Sequence, residues 1–336
     1  MSSVMPGLPM VSVVISVKNR ATMLWDCFVG LGSQSYPRER FEVVVIDNCS
    51  SEDLGPVMAR ARDELGLDIV TRRTAEDRGP APARNIGVSM ARGEIIAFTD
   101  SDCRPTPEWM ALGAAEFANP KIALVSGPVL PKPEQTATLT SKMSFVTTVE
   151  HPTFPTANLF VRKSVFLEHG GFDESLSFRD PFDRATECAD TDLAWRIIKA
   201  GHERRFLSGA VMQHEIEQQG VWFWMLEGTR LFLVPELVRR HPELRAQLLT
   251  AGLFFYPPAL LIYVAIALVV AAALIKPWLL WLIPALLLAR GIQRTRSINP
   301  IELARFCGRT LLHMPRMLVM SLSLLYGSIR FRSLVL

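Results

Sequence analysis

The feature that most constrains this chain is a set of short, β-branched, nearly all-apolar runs, each followed by a helical stretch. Val11-Ser12-Val13-Val14-Ile15-Ser16-Val17 is the first, Phe41-Glu42-Val43-Val44-Val45-Ile46 the next, and Ile95-Ile96-Ala97-Phe98-Thr99 a later one. Strands buried on both faces read this way, whereas strands with one wet face alternate. Helical patterns fill the intervals. One runs to about Ser33, one from Asp53 to Leu65 before a shorter strand at Leu67 to Thr71, and one from Arg84 to Arg92, closed by Gly93. This alternation specifies an α/β fold with a mostly parallel central sheet flanked by helices. Ligands of such sheets sit beyond the carboxyl ends of the strands. Polar residues gather there: Lys18-Asn19-Arg20, Asp47-Asn48 and Asp100-Ser101-Asp102.

Asp100 and Asp102 form a D-x-D triplet just past a buried strand. Two carboxylates so spaced can address one divalent cation and the ribose beside it. Oxygen ligands suit a hard ion, Mg²⁺ or Mn²⁺, which neutralises a diphosphate. A solvated turn can carry the same triplet, so the neighbouring sequence has to decide. No G-x-G-x-x-G or G-x-x-x-x-G-K-[ST] stands at the strand ends, which argues against a dinucleotide dehydrogenase or a P-loop enzyme. A nucleotide held by aspartates and a metal suggests an activated sugar.

Four blocks then resemble the family 2 inverting glycosyltransferases of the GT-A fold, in the family's order. They are Val11 to Arg20, Val43 to Ser51, Gly79 to Asp102 and Thr156 to Glu174; a fifth, Ala189 to Gly201, resembles the family's acidic catalytic block. The resemblance covers roughly residues 10 to 215. It implies a nucleotide side made by Ser16, Asn19, Arg20, Asp47, Arg84, Asn85, Asp100 and Ser101, with Asp47 on the base and Asp100 on the ribose. It implies Asp102 as metal ligand, joined by His214, and an acceptor side at Thr156, Asn158, Gly171 and Phe172. Asp190 would be the general base, with Asp192 as the alternative. Asp190 also stands where an aspartate commonly caps a helix. The family usually has Glu-Asp here; in this chain Ala189 replaces the Glu, and Glu187 lies two residues upstream.

The last part of the chain differs in composition. Residues 251 to 336 hold nine Lys/Arg and one acid, Glu302, so the net charge of +3 hides a mildly acidic body and a basic, apolar tail. Ala251 to Ile275 is uncharged and long enough to cross a bilayer, and Pro277 to Ala289 is a shorter uncharged run. Arginines flank the pair, which predicts a hairpin with both flanks in the cytoplasm. Trp222, Trp224, Arg230, Arg239 and Arg240 read as an interfacial helix at its entry.

The organisation expected is therefore a catalytic domain over 1–220, an interfacial linker over 221–250, a transmembrane hairpin over 251–292 and a membrane-associated tail over 293–336. Five cysteines without metal spacing read as thiols in a reducing compartment. No secretory signal is visible, which places the catalytic domain on the cytoplasmic side of an inner or plasma membrane. The function expected is metal-dependent transfer of a sugar from a nucleoside-diphosphate sugar to a lipid-linked or cell-envelope glycan. A membrane, and no nucleic acid, would be the partner of the basic tail. Two alternatives remain open: a processive polysaccharide synthase, whose Q-x-x-R-W signature Gln218 to Trp222 does not supply, and an inactive sugar-nucleotide-binding scaffold.

Overall fold

The computed structural model describes residues 7–142, 146–179, 185–256 and 260–336. The chain divides into two compact units, Met1–Gln219 and Gly220–Leu336.

In the first unit, strand and helix alternate as β1 (Val11–Val17), α1 (Ala21–Gly32), β2 (Phe41–Asp47), α2 (Gly55–Leu65), β3 (Ile69–Arg73), α3 (Pro80–Met90) and β4 (Ile95–Asp100). There follow β5 (Cys103–Pro105), α4 (Trp109–Ala115), β6 (Ile122–Ser126), β7 (Val129–Pro131), β8 (Leu159–Arg162) and α5 (Lys163–Glu168). The unit closes with β9 (Ser177–Arg179), β10 (Ala185–Glu187), α6 (Ala189–Lys199), β11 (Glu203–Phe206) and β12 (Met212–His214). The central sheet has the order β11-β6-β8-β4-β1-β2-β3. β3, β2, β1 and β4 are mutually parallel, β8 is antiparallel to both neighbours, and β6 and β11 are parallel to each other. β1 and β2 are buried along nearly their whole length, as runs without alternation require.

The helix over Arg84 to Arg92 in fact starts at Pro80 and ends at Met90. Pro80 occupies the first helical position, where no N–H is needed, so the proline-rich start is part of the helix. Gly93 is not its cap. A Cβ there would lie 2.6 Å from Ser12 N, so glycine is required by the approach of two backbones. On the same helix Gly87 lets α3 settle on Val14, whose Cγ1 would be 2.5 Å from an added Cβ.

The second unit contains α7 (Val221–Leu226), α8 (Val234–Arg240), α9 (Leu244–Leu248), α10 (Leu260–Leu274), α11 (Leu282–Thr295) and α12 (Pro300–Phe331). Among the described residues the expected membrane hairpin is not formed. Within Ala251 to Ile275, residues 257–259 lie outside the described residues, and α10 has 15 residues. At 1.5 Å per residue that is about 22 Å, short of a hydrocarbon core of about 30 Å. Lys276 and Pro277 break the chain before α11, and Arg305, Arg309 and Arg316 interrupt the longer α12. Among the described residues no helix is long and apolar enough to cross a membrane, which overturns the membrane localisation. Of the residues read as an interfacial helix, Trp222 on α7 is exposed. Trp224 is buried, against the His313 ring at 4.9 Å and the Arg316 guanidinium at 5.0 Å. Arg239 and Arg240 are both paired with Glu236 at 2.7 Å.

Candidate active site

Strand register assembles the first part of the site. Val17 lies opposite Asp47, and Ser16 opposite Asp100, so β1, β2 and β4 end level and present these residues along one edge. β12 supplies His214, opposite Cys103 of β5, and the Glu215 N–H donates to the Asp102 carbonyl at 2.9 Å. This pairing brings His214 Nε2 to 3.5 Å from Asp102 Oδ1. His214 Nδ1 is 2.8 Å from the Glu215 carbonyl, which can only accept, so Nδ1 carries the proton. Nε2 thus faces the Asp102 carboxylate, and a cation between them would satisfy both groups.

Ligand atoms of Asp100, Asp102, Cys103 and His214 all lie within 4.8 Å of one another. Burial, and then the charges of Asp100 and Asp102, push the Cys103 thiol well above its usual pKa. It stays protonated and forms a wall of the site. Two carboxylates and one imidazole remain, a donor set that fits Mg²⁺ or Mn²⁺.

Two arginines meet these acids. Asn19 and Arg20, between β1 and α1, have φ of 60° and 68°, the left-handed region that non-glycine residues enter at a cost. Asn19 is held there by its neighbours: its amide oxygen accepts from Ser51 N at 2.8 Å and its N–H donates to Ser50 Oγ at 2.7 Å. Arg20 is thereby aimed at Asp102, 2.5 Å from Oδ2. Arg84, buried in α3, donates to Asp100 Oδ1 at 2.6 Å and to Glu187 Oε1. Burial opposes its charge, but Glu187 and Asp100 outweigh that and hold the guanidinium above its ordinary pKa. Arg84 Nε and Glu187 Oε2 are buried with no hydrogen-bond partner among the described residues.

Cys188, not Asp190, is the cap of α6; Asp190 sits at the second helical position and is half-buried. Its Oδ1 accepts from Thr191 N at 2.7 Å and its Oδ2 from Thr156 N at 3.4 Å. Burial, then the charge of Glu187, raise it from 3.8 to about 7, against the opposing N–H of Thr191 and the charge of Arg84. Asp192 is buried and paired with Arg196 at 2.8 Å one turn along the helix.

Other residues expected at the site also make contacts within the scaffold. Asp47 Oδ1 accepts from Ser50 N at 2.8 Å and its Oδ2 is 3.7 Å from Arg73. Asn85 bonds both backbone groups of Phe172, at 2.9 and 3.0 Å, so it fixes a loop. Gly171 has φ 69°, and a Cβ there would lie 2.9 Å from Asn85 Oδ1. The Phe172 ring packs into a cluster with Phe98 and Phe166 at 5.0 and 5.2 Å. Asn158 is fully buried and spends its amide on Trp109, Pro128 and Ala210. Ser101 is buried beside Asp102. Asp77 went unread in the sequence. It accepts from Lys18 Nζ at 2.6 Å, from Asn48 Nδ2 at 2.7 Å and from Arg179, tying three segments together. Burial alone would raise its pKa, but Lys18 and Arg179 lower it to about 2. The only local signal is its place two residues before Gly79, whose N–H it accepts at 3.0 Å.

The Glycosyl transferase family 2 model matches residues 12–173. Glycosyltransferase AglE of Haloferax volcanii is 31% identical over 234 residues, 66% of this chain and 76% of AglE. The chain belongs to glycosyltransferase family 2. It is thus an enzyme of the glycosyltransferase type. Another relative of this family 2 glycosyltransferase is the Pre-mycofactocin glycosyltransferase of Mycobacterium tuberculosis, 28% identical over 258 residues. That match takes in 72% of this chain but spans only 50% of the relative's length. Among solved structures, a mannosyltransferase of Pyrobaculum calidifontis in complex with GDP-Man and Mn²⁺ superposes with a TM-score of 0.60 at 20% identity. The superposition covers 97% of this chain and 88% of that one, and it shows a common GT-A-like fold.

Proposed function

We propose that the protein is an inverting glycosyltransferase that moves one sugar from a nucleoside-diphosphate sugar to a hydroxyl of a lipid-linked or cell-envelope glycan. The observation that carries this reading is Asp190. It is a half-buried carboxyl raised to about 7 at the head of α6, next to Glu187, which Arg84 joins to Asp100. Inversion needs one base opposite the leaving group and no covalent intermediate, and a base titrating near neutrality suits it. In this reading the acceptor oxygen bonds to the anomeric carbon while the bond from that carbon to the diphosphate oxygen breaks. Asp190 takes the hydroxyl proton. The diphosphate departs toward the edge where Arg20 and Asp102 lie.

On the donor side, Asp47 would accept an N–H of the base and Asp100 a ribose hydroxyl. Asp100, Asp102 and His214 are the residues that would hold Mg²⁺ or Mn²⁺. When bound, that ion supplies neutralisation of the diphosphate charge. The relative solved with GDP-Man and Mn²⁺ supports this choice of ligand class.

Calorimetry with a panel of nucleoside diphosphates, with and without Mn²⁺, tests the donor side. Asp102→Ala is expected to abolish the metal-dependent part of the affinity while the fold survives. Unchanged metal-dependent binding in that variant would overturn the assignment.

A further inference from the structure

A second cluster of metal-type ligands shares no residue with the donor edge described above. α5 ends at Glu168, His169 caps it, and His202 stands between α6 and β11. Ligand atoms of Glu168, His169 and His202 all lie within 4.8 Å of one another. The two imidazoles meet edge to face with centroids 5.5 Å apart. His169 Nδ1 is 2.9 Å from the Val165 carbonyl. A carbonyl only accepts, so Nδ1 holds a proton, and in the neutral ring Nε2 is left to offer its lone pair. Histidines that bind metals are oriented in this way, the second nitrogen donating to a carbonyl or carboxylate. Among the described residues, the side chains of Glu168 and His202 have no hydrogen-bond or ion-pair partner that would compete with a cation.

We propose that Glu168, His169 and His202 form a binding site for a transition-metal ion of the zinc class. Two imidazoles and one carboxylate suit a borderline-soft ion and leave a fourth position for water. The set is the inverse of the donor-edge set, where carboxylates outnumber imidazole and a hard ion is favoured. The same His169 offers its carbonyl to Arg196, which also bonds the Gly171 carbonyl at 2.7 Å and Asp192 at 2.8 Å. An ion joining the end of α5 to the segment after α6 therefore stiffens both supports of the Gly171 loop and of the helix that carries Asp190.

The test is a Zn²⁺ titration of the full chain by calorimetry in excess Mg²⁺, with thermal melting in parallel. The native protein is expected to take up one equivalent of zinc and to melt higher with it. His202→Ala and Glu168→Gln are expected to bind that equivalent at least about tenfold more weakly, since losing an outer-sphere partner alone costs 10–100-fold. Both variants should melt like the native protein when zinc is absent, and Asp102→Ala should retain the zinc equivalent. No zinc uptake by the native protein, or equal affinity and an equal zinc-induced melting shift in both variants, would overturn the assignment.

Discussion

Asp190 answers two opposed demands. Its carboxyl is raised from 3.8 to about 7, so the folded state holds a proton that the unfolded state has released. Between those pH values the stability contributed by this group falls as pH rises, and above about 7 the cost is constant. Asp190→Asn removes the charge without changing shape. Transfer should drop by about 10²–10⁴-fold with donor affinity kept, while the melting temperature of the Met1–Gln219 unit at pH 8 rises by about 2–4 °C, the effect of about 1 kcal/mol in a unit of that size. A variant that keeps near-native transfer would hand the role to Asp192. The turnover rate should climb with pH to a plateau above about 7. Glu187→Gln takes away the second largest cause of the shift, so the climbing limb should move to lower pH. A limb that stays in place would separate Glu187 from the titration of Asp190. Ala189 stands where the family has a Glu, and Glu187 is the acid that meets Arg84 instead.

At the scale of elements, the site depends on a few joints between segments distant in sequence. Arg84 of α3 reaches both the end of β4 and the residue before α6. Arg84→Met would leave two carboxylates facing each other without a cation. The expected loss is about 2–3 kcal/mol in urea unfolding, below the value for fully buried pairs because Asp100 is 28% exposed. The Gly171 loop is the second joint. Its left-handed backbone and the 2.9 Å approach to Asn85 and Phe166 leave no room for a methyl group. Gly171→Ala should cost about 1–3 kcal/mol, and urea unfolding measures it directly. Loss of Asn85 should loosen the same loop with a smaller effect on the core.

Over the whole molecule, the two units rest on different kinds of packing. In Met1–Gln219 a mixed sheet carries the core, with Ile15, Phe28, Trp109 and Phe160 fully buried. In Gly220–Leu336 the long α12 packs against the 3-10 helix Glu227–Leu233. Gly327 makes this possible, because a Cβ there would fall 2.1 Å from the Phe232 carbonyl oxygen. Gly327→Ala forces the backbones apart, and amide exchange of α12 and of Glu227–Leu233 should quicken by at least about tenfold, the effect of about 1.4 kcal/mol. Protection unchanged from the native protein would mean that the packing adjusts without loss.

The sequence by itself determined the α/β class, the order of the strands along the chain and the D-x-D edge, because a buried parallel strand has to be an unbroken apolar run. It also offered Asp190, with Asp192 as the alternative, as the candidate base. Tertiary structure decided what no local pattern encodes. Register brought His214 to Asp102, the reach of Arg84 joined Asp100 to Glu187, and burial set the titration of Asp190. Asn158 and Phe172, expected on the acceptor side, proved to be interior residues, since a motif records which residues recur and not which way they face. The tail shows the same divide. Hydropathy counts uncharged residues, but a span also needs one unbroken helix, and residues 251–256 are turn and bridge, so the described helix α10 covers only part of the uncharged run.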